Sequence, residues 1–168
     1  LSNDNMFWRM TAQRLLVTEQ RTDAIPALRA ILTGNPDRDS LGLDVASIHA
    51  IWTLHGLGAF TITDEASDTA VRNALRHPSG ATRKNAVQAL VESATPADLA
   101  LAAQSLDDEE PRARLWAMLA LAEQAPSEQA GERLLRLRTE LPVDEWSAQA
   151  FSLAALNNDA QYWQAVKD

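Results

Sequence analysis

The sequence predicts an all-α fold: a right-handed α-solenoid of about five stacked helical repeats, ten helices in all. Three observations carry that expectation. Alanine and leucine dominate a helical pattern from end to end, and glycine and proline sit only at plausible breaks. One frame, Arg-x-x-Ala-x-x-x-Leu, recurs at Arg9 to Leu16, Arg83 to Leu90 and Arg114 to Leu121, and with Ser for Arg at Ser47 to Leu54. A weaker copy is Glu145-x-x-Ala148-x-x-x-Ser152. The alanines at 12, 50, 86, 117 and 148 are 38, 36, 31 and 31 residues apart. Paired helices recurring at that period stack into a solenoid.

The elements follow in order. Ser2-Asn3-Asp4 offers caps for a helix from about Asp4 to Glu19, where Phe7, Met10, Leu15 and Val17 are interleaved with Arg9, Gln13 and Arg14. A shorter helix follows Asp23, with Ile25, Leu28, Ile31 and Leu32 on one face; Pro26 is tolerated in its first turn. Gly34-Asn35-Pro36-Asp37 stops it, and an irregular loop runs to Gly42. Leu43 to Gly58 is the most apolar continuous stretch. Its helix reaches about Leu57, and Gly56 or Gly58 supplies a left-handed cap. Glu65 to Arg76 carries Ala70, Val71, Ala74 and Leu75, and His77-Pro78 ends it. Ser79 caps a helix over Gly80 to Ser93, with Ala86, Val87 and Leu90 inward. Thr95-Pro96 opens another, to about Ser105. Asp107-Asp108-Glu109-Glu110-Pro111 places anions where a helix dipole favours them, ahead of a helix to about Gln124. Pro126-Ser127 and Leu141-Pro142 start two more, and a last short helix begins near Asp159.

The frame has a physical reason. Stacked helices approach closely at the middle of each repeat, and a small side chain permits it. The leucine four residues on fills the layer between neighbours.

Composition narrows the function. A chain of 168 residues fits one domain, and the start at Leu1 leads us to expect a segment of a larger protein. There is no cysteine, so disulfides, thiolate nucleophiles and thiolate metal ligation do not arise within it. No run of about 20 apolar residues is present, so no membrane insertion is expected. Residues 1–84 carry nine Lys/Arg and nine Asp/Glu, whereas residues 85–168 carry six and fourteen, so the second half holds the whole net charge of −8. Nucleic-acid binding needs clustered cations, and this chain has the opposite sign.

Chemistry-bearing residues are few. His49 and His55 lie six apart, about 240° around a helix, and do not converge on one metal. The run from Asp107 to Glu110 lacks the alternating ligands and glycine of a calcium loop, and helix capping accounts for it. No nucleophile elbow or phosphate loop appears, so no catalytic residue is assigned. Trp8, Trp52, Trp116 and Trp146 all fall on helices of the Arg-x-x-Ala class. Together with His49 and His55 they form the candidate interaction surface, since aromatic anchors dominate many protein interfaces. The competing reading is that they fill irregular gaps in the core.

The turn-plus-helix units Pro78 to Leu90 and Asp107 to Leu121 resemble HEAT repeats, an armadillo-like class in which a proline or aspartate turn precedes an Arg-x-x-Ala helix. A narrower resemblance covers roughly the first 90 residues: Asn5 to Arg9 with Thr11 to Leu16, His49 to Gly58, and His77-Pro78 with Arg83 to Gln88. These look like the HEAT-repeat segment of a family of large exported bacterial dehydrogenase-like proteins. In that family a β-propeller resembling sugar dehydrogenases precedes the segment and a c-type cytochrome domain usually follows.

The resemblance implies a non-catalytic scaffold or protein-interaction module between propeller and cytochrome, in the periplasm or otherwise exported. The expected partners are proteins, either flanking domains or another subunit, and no cofactor is expected in the segment itself. The Arg-x-x-Ala helices are expected to line the concave face. An autonomous cytoplasmic HEAT-like adaptor is the alternative, and a small HEAT-like lyase or glycosylase a more distant one.

The frame makes a prediction about stability. Ala86→Leu or Ala117→Leu should overpack the stack and cost about 1–3 kcal/mol. Urea unfolding of the two variants measures this, and unchanged midpoints in both would contradict the frame.

Overall fold

A computed structural model describes residues 1–59, 65–93, 99–100, 102–140 and 144–167. The described residues form nine α-helices and no strand. The helices are α1 (Met6–Thr18), α2 (Ile25–Thr33), α3 (Val45–Gly56), α4 (Glu65–Ala74), α5 (Gly80–Ser93), α6 (Pro111–Glu123), α7 (Glu128–Glu140), α8 (Glu145–Asn157) and α9 (Asp159–Lys167). Short 3-10 turns cover Thr22–Ala24 and Ala103–Asp107.

The all-α class holds, with nine helices among the described residues rather than ten. The difference lies at the helix expected from Thr95 to Ser105. Its start falls outside the described residues; residues 99, 100 and 102 are helical, and the segment closes as the tighter turn Ala103–Asp107. A 3-10 ending is a common way to use the last carbonyls of a helix before the chain reverses. The expected start at Leu141-Pro142 also lies outside the described residues, and Asp144 is the cap of the helix that follows.

Local chemistry explains the other boundaries. Asn5, not Ser2 to Asp4, caps α1, its side chain accepting from the Phe7 amide at 2.9 Å. Asp44 and Asp144 cap α3 and α8 in the same way, each accepting from the amide of the serine three residues on. Of the two glycines at the end of α3, Gly58 takes the left-handed conformation (φ +68°), while Gly56 stays helical.

Contacts connect the helices in a regular order. Helices α1, α3, α5, α6 and α8 each pack on the next. On the other side of the chain α2 packs on α4, and α7 on α9. Contacts between α2 and α3, α4 and α5, the 103–107 turn and α6, and α7 and α8 join the two sides.

The core follows three of the five predicted alanines, while Ala12 in α1 is only half-buried. Ala50, Ala86 and Ala117 are wholly buried, as are Leu54, Leu90 and Leu121 within 2%. In α8 the frame needs correcting: Ala148 and Ser152 are exposed, whereas Ser147, Ala150 and Ala154 are buried. The copy therefore reads Ser147-x-x-Ala150-x-x-x-Ala154, in register with Ser47-x-x-Ala50-x-x-x-Leu54, and each follows an aspartate cap three residues before the serine. Counting from Glu145 misplaced the inward face by two residues, about 200° around the helix.

Two glycines mark close helix crossings. A Cβ on Gly131 of α7 would stand 2.5 Å from the Gln161 carbonyl oxygen of α9. A Cβ on Gly56 would stand 2.7 Å from Cγ2 of Val17 in α1.

The two ends differ from the middle. Helix α1 buries no residue completely, and Met6, Phe7, Trp8, Met10 and Leu15 are exposed. At the other end Trp146, Leu153, Leu156, Trp163 and Val166 are exposed on α8 and α9. A fully buried side chain of this size stabilises a fold by about 1.5–3 kcal/mol, so each end leaves considerable apolar surface unused.

Gly131→Ala should therefore destabilise the protein by about 1–3 kcal/mol, because backbone must move to admit the methyl group. Gly56→Ala should cost less, since it meets only a valine side chain on a helix without a buried residue. Comparing the two midpoints in chemical denaturation checks this order.

Candidate interaction surface

The six candidate residues sit at three levels of exposure. His49 is buried in α3; Trp52, His55 and Trp116 are half-buried; Trp8 and Trp146 are exposed, at 57% and 70%. Trp8 lies on α1 and Trp146 on α8, at opposite ends of the helix succession, so the structure does not bring the two together.

His49 belongs to a polar chain between α1 and α3. Its Nδ1 lies 2.7 Å from Gln13 Oε1, and Arg9 Nε lies 3.3 Å from its Nε2. Nδ1 therefore carries the proton and donates to Gln13, leaving Nε2 to accept from Arg9. Burial lowers the pKa of His49, and the Arg9 charge lowers it further.

Trp52 ties α3 to α5. Its indole Nε1 donates to Asn85 Oδ1 at 2.8 Å, and the Asn85 amide donates in turn to the Ala81 carbonyl. His55 meets the Trp52 ring edge to face, with centroids 5.5 Å apart. Trp52 also lines a groove of about 250 Å³ between α1 and α3, with Met10, Gln13, Arg14, Val17, Thr18 and Gly56. Trp116, on α6, packs against the hydrophobic core.

The frame arginines have a role that the sequence pattern does not reveal. Arg9, Arg83 and Arg114 each donate from Nη1 to a carbonyl six residues earlier: Asn3, His77 and Asp108, at 2.6, 2.9 and 2.6 Å. The side chains of those same three residues accept from the amides of Asn5, Ser79 and Glu110, just ahead of each helix. Each turn is thus fastened twice at its entry into the helix.

The fastened residue also meets the preceding helix of the succession. Arg83 grips Asp108 with two hydrogen bonds of 2.8 Å. Burial pushes the Asp108 carboxyl up, but the Arg83 and Glu110 hydrogen bonds outweigh it and hold it below the usual carboxylate range. In the acidic run only Glu110 caps the helix, accepting from the Arg112 amide; Asp108 forms an ion pair with Arg83 of α5.

Where Ser47 replaces the arginine, the joint changes. Asp44 caps Ser47 with one oxygen and places the other 3.4 Å from Nε2 of His77. His77 accepts from the Ser79 amide at Nδ1, so its proton sits on Nε2 and points to Asp44. Burial lowers the His77 pKa, against an upward pull from Asp44. A six-residue spacing ahead of each frame arginine was the signal available in the sequence for Asn3, His77 and Asp108.

On the other side of the chain, a cleft of about 420 Å³ is lined by Arg72, Asn73, Leu75, Arg76, Gln104, Ser105, Asp107 and Asp108. A smaller groove beside it holds Arg133 and Arg136 with Leu106, Asp107 and Leu137. Among the described residues no cluster of three or more His, Asp or Glu has metal-site geometry, and no helix is long and apolar enough to cross a membrane. Comparison with protein families, curated proteins and solved structures finds no match to the chain.

The two buried histidines set a pH dependence. Their pKa values are lowered in the folded protein, so above about 6.5 they are neutral in both states and contribute no slope. As pH falls below that value the unfolded chain binds protons that the folded chain refuses, and stability drops. Asp108 and Asp144, with lowered pKa values, stay ionised in this range and add their own loss only below the ordinary carboxylate value of 3.8. Urea midpoints should fall between pH 7.5 and 5.5 (about one unit either side of the histidine reference value) and flatten in a His49→Gln, His77→Asn double variant.

Proposed function

We propose that this chain is a non-catalytic docking module, a right-handed solenoid of HEAT-like repeats whose Arg-x-x-Ala helices carry the contact face. The observation that carries the reading is the succession α1, α3, α5, α6, α8, with the arginine fastening repeated in three of its five members. Repetition of one packed unit yields an extended surface without any single motif, which is how repeat proteins bind. The sequence resemblance supplies the setting: a position between a dehydrogenase-like propeller and a cytochrome c domain, outside the cytoplasm.

The groove between α1 and α3 is the centre of the proposed contact. It combines an apolar floor from Met10, Val17 and Trp52 with the Arg14 charge. A second reading has its own observation, the larger cleft beside Arg72 and Arg76, which would place the contact on the other side of the chain.

The two readings separate in one titration against the propeller and cytochrome domains added as separate proteins. Met10→Asp and Arg14→Glu should each weaken binding by about tenfold or more, while Arg72→Ala and Arg136→Ala change it little. The opposite order would move the docking face to the cleft. No binding by the wild-type chain to either domain would remove the proposed setting.

A further inference from the structure

The balance of charge reverses around the 103–107 turn. The chain carries 15 Lys/Arg against 23 Asp/Glu, yet the two grooves that meet at this turn are lined by four arginines and two aspartates. Arg72 lies in the last turn of α4 and Arg76 just past its end. Arg133 and Arg136 lie on α7. Asp107, at the end of the turn, lines both grooves and so stands between the two arginine pairs.

The positive excess is larger than the count suggests. Asp108 is already held by two bonds from Arg83. The side chains of Arg76, Arg136 and Asp107 are exposed and have no hydrogen-bond or ion-pair partner among the described residues. Arg133 commits one donor to the Ala103 carbonyl, at 3.2 Å, and keeps the rest. A guanidinium takes a carboxylate through two parallel hydrogen bonds, so the two pairs make two places for carboxylates. Asp107 makes the place between them one for a cation. The grooves together cross about two inter-helix spacings, about 20 Å, which an extended segment of about six residues spans. A nucleic-acid strand carries a phosphate at every step and would set one against Asp107, and its binding needs denser clustered cations than these.

We propose that these two grooves dock an extended acidic segment of a partner protein, with carboxylates toward both of its ends and a lysine or arginine at its centre. The outer carboxylates meet Arg72 with Arg76 and Arg133 with Arg136, and the central cation meets Asp107. The site shares no residue with the groove between α1 and α3, so it stands whether or not that groove is the contact proposed above.

Fluorescence anisotropy of a labelled peptide, Glu-Glu-Ser-Lys-Ser-Glu-Glu, titrated with the whole chain at about 0.15 M salt tests it. This peptide should bind more tightly than the same peptide with glutamate at its centre, although the second carries more negative charge. The order should reverse for Asp107→Lys. Arg76→Glu and Arg136→Glu should each weaken binding by about tenfold or more. Arg21→Glu makes the same charge change on an exposed side chain ahead of α2 and should change binding by less than about twofold. Arg76 and Arg136 are exposed, so circular dichroism of their variants should match the parent; Arg76→Gln and Arg136→Gln form a second pair if either fails to fold. Absence of binding by either peptide overturns the proposal. So does equal or weaker binding of the lysine-centred peptide, undiminished binding by the arginine variants, or an equal loss in Arg21→Glu. Tighter binding of a single-stranded DNA of the same extended length would also overturn it and make the grooves a nucleic-acid site.

Discussion

The structure depends on how a guanidinium group fastens a turn. Ahead of α1, α5 and α6 the frame arginine bonds a carbonyl six residues back, in the residue whose side chain already holds the amide at the start of the helix. A helix start leaves amides without partners and the preceding turn leaves carbonyls without them. One arginine and one short acceptor satisfy both sets, and they fix the angle at which the chain enters the helix. Arg83 uses its remaining donors to hold Asp108, already fastened in the next turn, so that α5 and the turn ahead of α6 share one rigid element. Both partners are largely shielded from water, and removing either would strand the other's charge, which is far more costly than losing an exposed pair.

Much of the helical plan was legible because it rests on local rules. Proline, glycine and capping residues marked most boundaries to within a residue or two, and Ala50, Ala86 and Ala117 were identifiable as closely packed from spacing alone. The α8 frame was misread because Ala148 and Ala150 are equally small, and only packing against α6 decides which turns inward. The surface was harder to read. A tryptophan contributes the same letter whether it bonds Asn85 across a repeat, as Trp52 does, or stands in solvent, as Trp146 does. The partner that decides lies 33 residues away and leaves no local pattern. His49 illustrates the same point: its neighbours Arg9 and Gln13 come from α1, so its tautomer and its lowered pKa are properties of the stack.

The joints between successive packed helices are not chemically alike. The α5 to α6 joint is a bidentate ion pair, the α3 to α5 joint combines a carboxylate–imidazole contact with an indole–amide bond, and the α1 to α3 joint runs through a neutral histidine. Near α8, Asn157 and Asn158 instead reach the Leu121 and Gln124 carbonyls at the end of α6. The residues differ from joint to joint, yet a polar tie is present at each neighbouring pair. The small-residue frame sets how closely helices approach, and these ties set their rotation and register.

The absence of any fully buried side chain in α1 has a consequence for motion. That helix is held by half-buried residues, the Val17 contact with Gly56 and the Arg9–His49–Gln13 chain, whereas α3, α5 and α6 are enclosed on both sides. Opening α1 uncovers His49 and one face of α3 but no fully buried residue of its own, so it detaches at a lower free energy than that needed to separate α5 from α6. Amide protons of α1 then exchange with solvent faster than those of α3, α5 and α6.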